Sequence, residues 1–332
     1  MLLVFSAILG VLLFPTANSK KFTIPIVVLL CLAYFNQYHY MATSMLLQYL
    51  PFVAGLVLLN QLLHRGINTN LILVGCRIVS IVESCWLGLN FFKVEPLQWM
   101  FPEIYFSTGI GTNSTIVPIM GSLGNPVPSS ILIACTLPLF LHGKWRYFLP
   151  LCLFSLYLAN SASAFMAFLV AIGTWGVVKY EFLDEKTVNI VKKGSAILFG
   201  ISLFCFYLYK KGFFYASERL IKWPLAIKFN DGPVFGKGLG FFKDEFPAYS
   251  KGVEAWGHAH NIGLDLYCAF GFVGIAVIIY LLAQANYKKN LEVTCCFLGL
   301  LTSGMFYSAF HQAPLALIGI VLYSIMANKE AL

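Results

Sequence analysis

Runs of about twenty apolar residues follow one another along almost the whole chain, and this repetition limits the possible folds more than any other feature. A run of that length, once helical, satisfies its own backbone hydrogen bonds and reaches across a bilayer. The runs fall at approximately 1–17, 22–38, 43–63, 69–92, 127–142, 145–160, 163–180, 194–209, 262–283, 291–310 and 312–327. Only 11% of the 332 residues are charged and 59% are hydrophobic, whereas soluble domains carry roughly a quarter charged residues. The expected fold is therefore all-α, a polytopic transmembrane helix bundle of about eleven spans. The first run lacks the positive leading segment of a secretory signal, so an uncleaved first helix is expected.

The short loops alternate in charge. Lys20-Lys21, His64-Arg65, Lys144 with Arg146, Lys186 to Lys193, Lys288-Lys289 and Lys329 fall on one side, while the loops near Gln37, Asn160 and Gln312 carry almost no Lys or Arg. The positive-inside rule makes the basic side cytoplasmic, with the N-terminus outside and the C-terminus inside. The formal net charge of +8 follows from these loops and is no nucleic-acid signature. The nine Cys residues lie in or beside apolar runs with no CxxC pair, so they are expected to pack as small hydrophobes.

Two longer loops fall on the external side, at about 93–126 and 210–260. The expected organisation is an N-terminal set of helices with the first external loop over 1–120, then a membrane domain over 121–328 that contains the loop 210–260. That second loop carries eight basic residues (seven Lys and Arg219) against five acidic ones. An external loop has no topological reason to be basic, so an anionic ligand such as a phosphate-bearing lipid is expected there.

Chemistry-bearing residues gather at the end of this loop. His260 lies within a turn of the start of the 262–283 helix, where the positive end of the dipole disfavours imidazolium. A neutral imidazole there can serve as a general base near neutral pH, or it can simply cap the helix. His258 forms a His-x-His pair with it, but a metal would need a third ligand such as Asp265 or His311, and neither HExxH nor clustered Cys is present. Arg219 offers a bidentate fork for phosphate oxygens, with Lys222, Lys228 and Lys237 adding point charges, unless all four merely line a solvated face. In Pro233-Val234-Phe235-Gly236-Lys237-Gly238-Leu239-Gly240, the alternating glycines Gly236, Gly238 and Gly240 suit either close backbone approach to a ligand or a tight re-entrant turn. A dinucleotide-binding role fails because no βαβ unit surrounds them. Arg77 and Glu83, inside the 69–92 run, are intramembrane charges and so functional candidates. Six positions apart, they lie on different helix faces.

Together these residues resemble the O-antigen ligase and polymerase superfamily of bacterial envelope glycan assembly. His260-Asn261, nine residues, then Gly271 and Gly274 match its His-[Asn/Ser/Gln], nine residues, Gly-x-x-Gly signature. Arg219, Trp223, Ala226, Pro233 and Gly236-x-Gly238-x-Gly240-Phe241 resemble its Arg-Trp-Ala and Pro-x-x-Gly-x-Gly-x-Gly-Phe block. Gly124-Asn125-Pro126 resembles its Gly-Asn-Pro element, and the likeness covers about 120–325. One departure stands at Ala162, where many relatives carry the arginine of a Ser-Arg pair. Another stands at Trp223, where ligases often show Leu.

The resemblance implies an inner-membrane glycosyltransferase acting at the periplasmic face. It would take a glycan from a polyprenyl (undecaprenyl) diphosphate carrier to a hydroxyl of a glycan or lipid A core, with no cofactor and no metal. It assigns His260 to the acceptor hydroxyl and Arg219 to the diphosphate. His258, Asn261, Lys222, Lys237, Gly236, Gly238, Gly240 and Arg77 are the further candidates for substrate binding. O-antigen ligase is the first expectation. O-antigen polymerase, protein O-oligosaccharyltransferase, a flippase and an inactive scaffold are the alternatives.

Overall fold

The computed structural model describes residues 68–92, 94, 121–123, 126–179, 223–230, 232–238, 259–288, 290–307 and 313–327, with Ile24, Pro25 and Val28 near the start. The described residues are helical, with no strand among them. In chain order the helices are α1 (Thr69–Phe91), α2 (Pro126–Thr136), α3 (Leu149–Ala159), α4 (Ala162–Lys179), α5 (Ile262–Ala283), α6 (Leu291–Gly304) and α7 (Ala313–Ala327). Two 3-10 turns, Leu137–Phe140 and Gly143–Phe148, join α2 to α3. Each helix coincides with an apolar run expected to span, and α1, α4 and α5 are long and apolar enough to cross a membrane. The described residues thus fit a membrane helix bundle. The runs at 1–17, 43–63 and 194–209 lie outside the described residues, as does nearly all of 22–38.

Local chemistry sets the helix starts. Asn68, Asn261 and Asn290 cap α1, α5 and α6, each side-chain oxygen accepting a backbone N–H of the first turn. Proline occupies the first turns of α2, α3 and α7, where its missing N–H removes no helical bond. Asn160 closes α3 in the left-handed conformation (φ 44°), which lets α4 begin two residues later.

α2 is the centre of the bundle. Ile131, Leu132, Ile133, Ala134 and Cys135 are successive and all buried, so this helix is enclosed on every side rather than amphipathic. Lipid supplies no hydrophobic drive between helices, so close packing and interhelical hydrogen bonds must hold them. Ser80 of α1 bonds Thr136 of α2 (2.7 Å), and the Ser155 hydroxyl of α3 donates to the Ser84 carbonyl of α1 (2.9 Å). Gly299 of α6 lies so close to α4 that a Cβ there would sit 2.9 Å from the Ala167 carbonyl and 3.0 Å from Ala171 Cβ.

The two ends of the bundle differ. At one, Arg77 Nε donates to the Leu139 carbonyl (2.8 Å) and the guanidinium lies over Trp145, 5.4 Å from its centroid. His142 meets Glu292 (3.1 Å), and Asn286 N–H donates to Met326 (3.0 Å). Lys144, Arg146, Lys179 and Lys288 belong to this end. Glu83, by contrast, lies toward the other end of α1. It is buried (3% exposed) and accepts from both the backbone N–H (2.9 Å) and the hydroxyl of Ser122. Asn90, in the last turn of α1, accepts from Gly121 N–H (3.0 Å). Arg77 and Glu83 therefore have separate partners, as their six-residue spacing implies.

Candidate functional site

The loop that precedes α5 and the helix itself form one interlocked unit. α5 is not continuous: at Gly271 the backbone turns to φ 62°, ψ −157°, a conformation that side-chain-bearing residues rarely adopt. A break inside an apolar helix frees carbonyls on one side and N–H groups on the other, and hydrocarbon cannot satisfy them. Residues 233–238 do so. Lys237 and Gly238 N–H donate to the Cys268 (2.8 Å) and Ala269 (2.9 Å) carbonyls. Phe272 and Val273 N–H donate in turn to the Pro233 (2.8 Å) and Val234 (3.1 Å) carbonyls.

The approach is too close for side chains on either strand. A Cβ on Gly236 (φ 71°) would collide with the Ala269 carbonyl and Phe270 N, and one on Gly271 with the Val234 carbonyl. The two glycine motifs, some thirty residues apart in sequence, are thus two halves of one joint. Of the two roles open to the glycines, close approach to a ligand or a tight turn, Gly236 is engaged with the backbone of α5. Gly240 lies outside the described residues.

A helical segment over 223–229 packs on the first half of α5. Ala226, Ala259 and Cys268 form a small buried cluster with Leu225, Phe229, Leu264 and Tyr267 around it. Asn230 ties the segment down through Nδ2 to the Tyr267 carbonyl (2.9 Å). Lys237 Nζ lies over the Phe229 ring, 5.2 Å from its centroid, so its ammonium faces this segment.

His260 stands at the mouth of the unit, one residue before the N-cap of α5. Its backbone is left-handed (φ 53°), an uncommon state for a residue with a side chain. The residue just before it is held at both of its backbone polar groups. Ala259 N–H donates to Asp265 Oδ1 (2.7 Å), and the Ala259 carbonyl accepts from Trp223 Nε1 (3.0 Å). Asn261 follows, buried, accepting from Leu264 N–H (3.1 Å) and donating from Nδ2 to the Met305 carbonyl (3.4 Å). The His260 ring lies 6.0 Å from that of Tyr307, and its Nδ1 is buried.

His260 therefore sits between the N-terminal end of α5 and the C-terminal end of α6, whose partial charges are opposite in sign.

The structure brings His260, Asn261, Gly236, Gly238 and Lys237 into one unit. It does not bring Arg77 there. Arg77 belongs to the basic end, and α5, 22 residues long, separates that end from His260 by roughly 30 Å at 1.5 Å per residue. Ala162 opens α4 at the same end as His260. Arg219, Lys222 and His258 lie outside the described residues. Among the described residues no group of three His, Cys, Asp or Glu side chains is placed to hold a metal ion, and Asp265 instead accepts from Ala259 N–H.

Trp223, Asp265, Met305 and Tyr307 had no contact role readable in the sequence. One signal was available for Asp265: an acid in the first turn after an Asn cap commonly reaches back to a preceding N–H. Tyr307 is brought in only by packing.

Comparison with known proteins places this unit. No curated protein matches the chain. A family model described as O-antigen ligase matches residues 147–279, from the turn before α3 through both halves of the broken helix. The stretch that holds His260, its clamp and the glycine joint thus matches the O-antigen ligase/polymerase superfamily.

Proposed function

We propose that the chain is a lipid-linked-glycan-dependent glycosyltransferase of the bacterial inner membrane, and that its reaction is O-antigen ligation. The donor is a glycan on a polyprenyl (undecaprenyl) diphosphate, and the acceptor is a hydroxyl of lipid A core at the periplasmic face. The observation that carries the reading is His260. It has a left-handed backbone and stands at the N-terminus of a broken helix, within the stretch that matches the O-antigen ligase model.

The chemistry follows from the donor. The acceptor hydroxyl oxygen attacks the anomeric carbon while the bond from that carbon to the diphosphate oxygen breaks, and the electron pair leaves with the diphosphate. The hydroxyl proton passes to His260. A diphosphate is already a good leaving group, so the reaction needs a group that holds its growing charge rather than a separate acid. Arg219 is proposed for that role, with Lys222 and Lys237 supplying further positive charge. His258 and Asn261 support the acceptor side, Asn261 by fixing the start of α5. The residues proposed require no cofactor or metal ion.

A polymerase would use the same groups on a second carrier-linked repeat, and a protein O-oligosaccharyltransferase would use a Ser or Thr hydroxyl. One structural feature bears on the flippase reading, because broken helices also occur in transporters. In transporters the freed backbone groups face substrate. Here those at Gly271 are occupied by residues 233–238, which favours the enzyme.

A deletion strain complemented with wild type or His260→Ala, analysed on a lipopolysaccharide gel, separates these readings. Ligation predicts complete loss of polymer on lipid A in the deletion and in the variant, at normal expression. A single capped repeat indicates polymerase. An unchanged ladder with the variant removes the catalytic assignment.

A further inference from the structure

We infer that Trp223 and Asp265 are positioning residues for His260, acting through the backbone of Ala259, whose carbonyl and N–H they respectively hold. The inference rests on the proposed role of His260 and deepens it, because it says what keeps the imidazole aimed.

Three observations carry it. First, His260 has φ 53°, and a non-glycine residue held in that region stores strain that its surroundings must sustain. Second, the preceding residue, Ala259, is fixed at both of its backbone polar groups, by Asp265 Oδ1 on its N–H (2.7 Å) and Trp223 Nε1 on its carbonyl (3.0 Å), the latter in the peptide that joins it to His260. Third, the following residue is fixed as well, through the Asn261 cap and its bond to Met305. A residue locked before and after has little freedom left in its own backbone, so the direction of its Cβ is set. With Nδ1 buried, Nε2 is the nitrogen that meets the acceptor.

The two clamps come from different places. Asp265 sits on α5 itself and holds the Ala259 N–H relative to the helix. Trp223 sits on the 223–229 segment, four residues after Arg219, and ties the acceptor-side histidine to the segment that leads from the proposed diphosphate clamp. The Trp223 bond therefore fixes Ala259, and with it His260, to the 223–229 segment. Misplacing a reacting group by about 1 Å costs on the order of a hundredfold in rate.

The test uses the full-length protein in lipid nanodiscs with Trp223→Phe, Asp265→Ala and Asp265→Asn. Asp265→Asn keeps an oxygen able to accept the Ala259 N–H, whereas Asp265→Ala does not. The expected result is a kcat lowered about tenfold to a hundredfold by Trp223→Phe and Asp265→Ala. KM for donor and acceptor should stay within about threefold, and Asp265→Asn should recover most of the rate. A second reading needs no activity: the rate at which diethyl pyrocarbonate acylates His260, mapped by mass spectrometry. Release of the clamp should change that rate severalfold in Trp223→Phe and Asp265→Ala and leave it near wild type in Asp265→Asn. Equal acylation rates in all four proteins, or kcat within twofold of wild type in both clamp-breaking variants, overturn the inference. If His260→Ala retains activity while the acylation rates change as expected, the clamp stands and the catalytic role of His260 falls.

Discussion

Gly271 and Asn261 show how much of this site depends on single positions. At Gly271 a side chain meets two obstacles, a backbone conformation (φ 62°, ψ −157°) that essentially only glycine adopts, costing about 1–3 kcal/mol, and the Val234 carbonyl in the space a Cβ would fill. Gly271→Ala is expected to lower the unfolding temperature in detergent by at least several degrees, at roughly 2–4 °C per kcal/mol for a domain of this size. It should do so even with no substrate present, and an unchanged melting curve would show that the joint is not tight. Asn261 has two separable functions. Asn261→Asp keeps the cap oxygen and loses the Nδ2 donor to Met305, whereas Asn261→Ala loses both. Thermal unfolding should rank the two, with alanine the less stable by about 1 kcal/mol, the usual worth of a cap.

Among the elements, α5 is broken and the loop before it is part of its structure. Periodicity places 262–283 as one helix, and its bounds agree with those of α5. Hydropathy reports burial, however, and a break whose freed backbone groups bond to residues 233–238 leaves no trace in it. The glycines were legible as places of special backbone, but the bond from Lys237 to Cys268 spans 31 positions, and no local pattern encodes such a pairing. The contact between Trp223 and Ala259 was hidden for the same reason. By contrast the helix starts were readable from Asn and Pro, because capping is a local effect. At the bundle's centre, the close passage of α6 past α4 at Gly299 makes a different prediction. Gly299→Leu should impair assembly, seen as loss of monodisperse protein on size-exclusion chromatography. Gly299→Ala should be tolerated only with a lowered melting temperature, because the Ala167 carbonyl and Ala171 have to yield.

For the whole molecule, the alternation of loop charge and the sorting of described residues into two ends agree. One end gathers Lys144, Arg146, Lys179 and Lys288, and the other gathers Asn160, Met305, Tyr307 and His260. If the basic end is cytoplasmic, a cysteine placed at Asn160 in a background lacking the native thiols reacts with an impermeant maleimide on spheroplasts. One placed at Lys144 reacts only after lysis. The reverse pattern would put His260 on the wrong side for a periplasmic donor. The whole proposal meets at that imidazole, so the most direct test is transfer by purified protein in nanodiscs. A polyprenyl diphosphate-linked glycan and lipid A core serve as substrates, and release of polyprenyl diphosphate is followed for wild type and His260→Ala. The account predicts that the variant folds, melts near the wild-type temperature and transfers at least a hundredfold more slowly. Transfer within about threefold of wild type by a well-folded variant would contradict it.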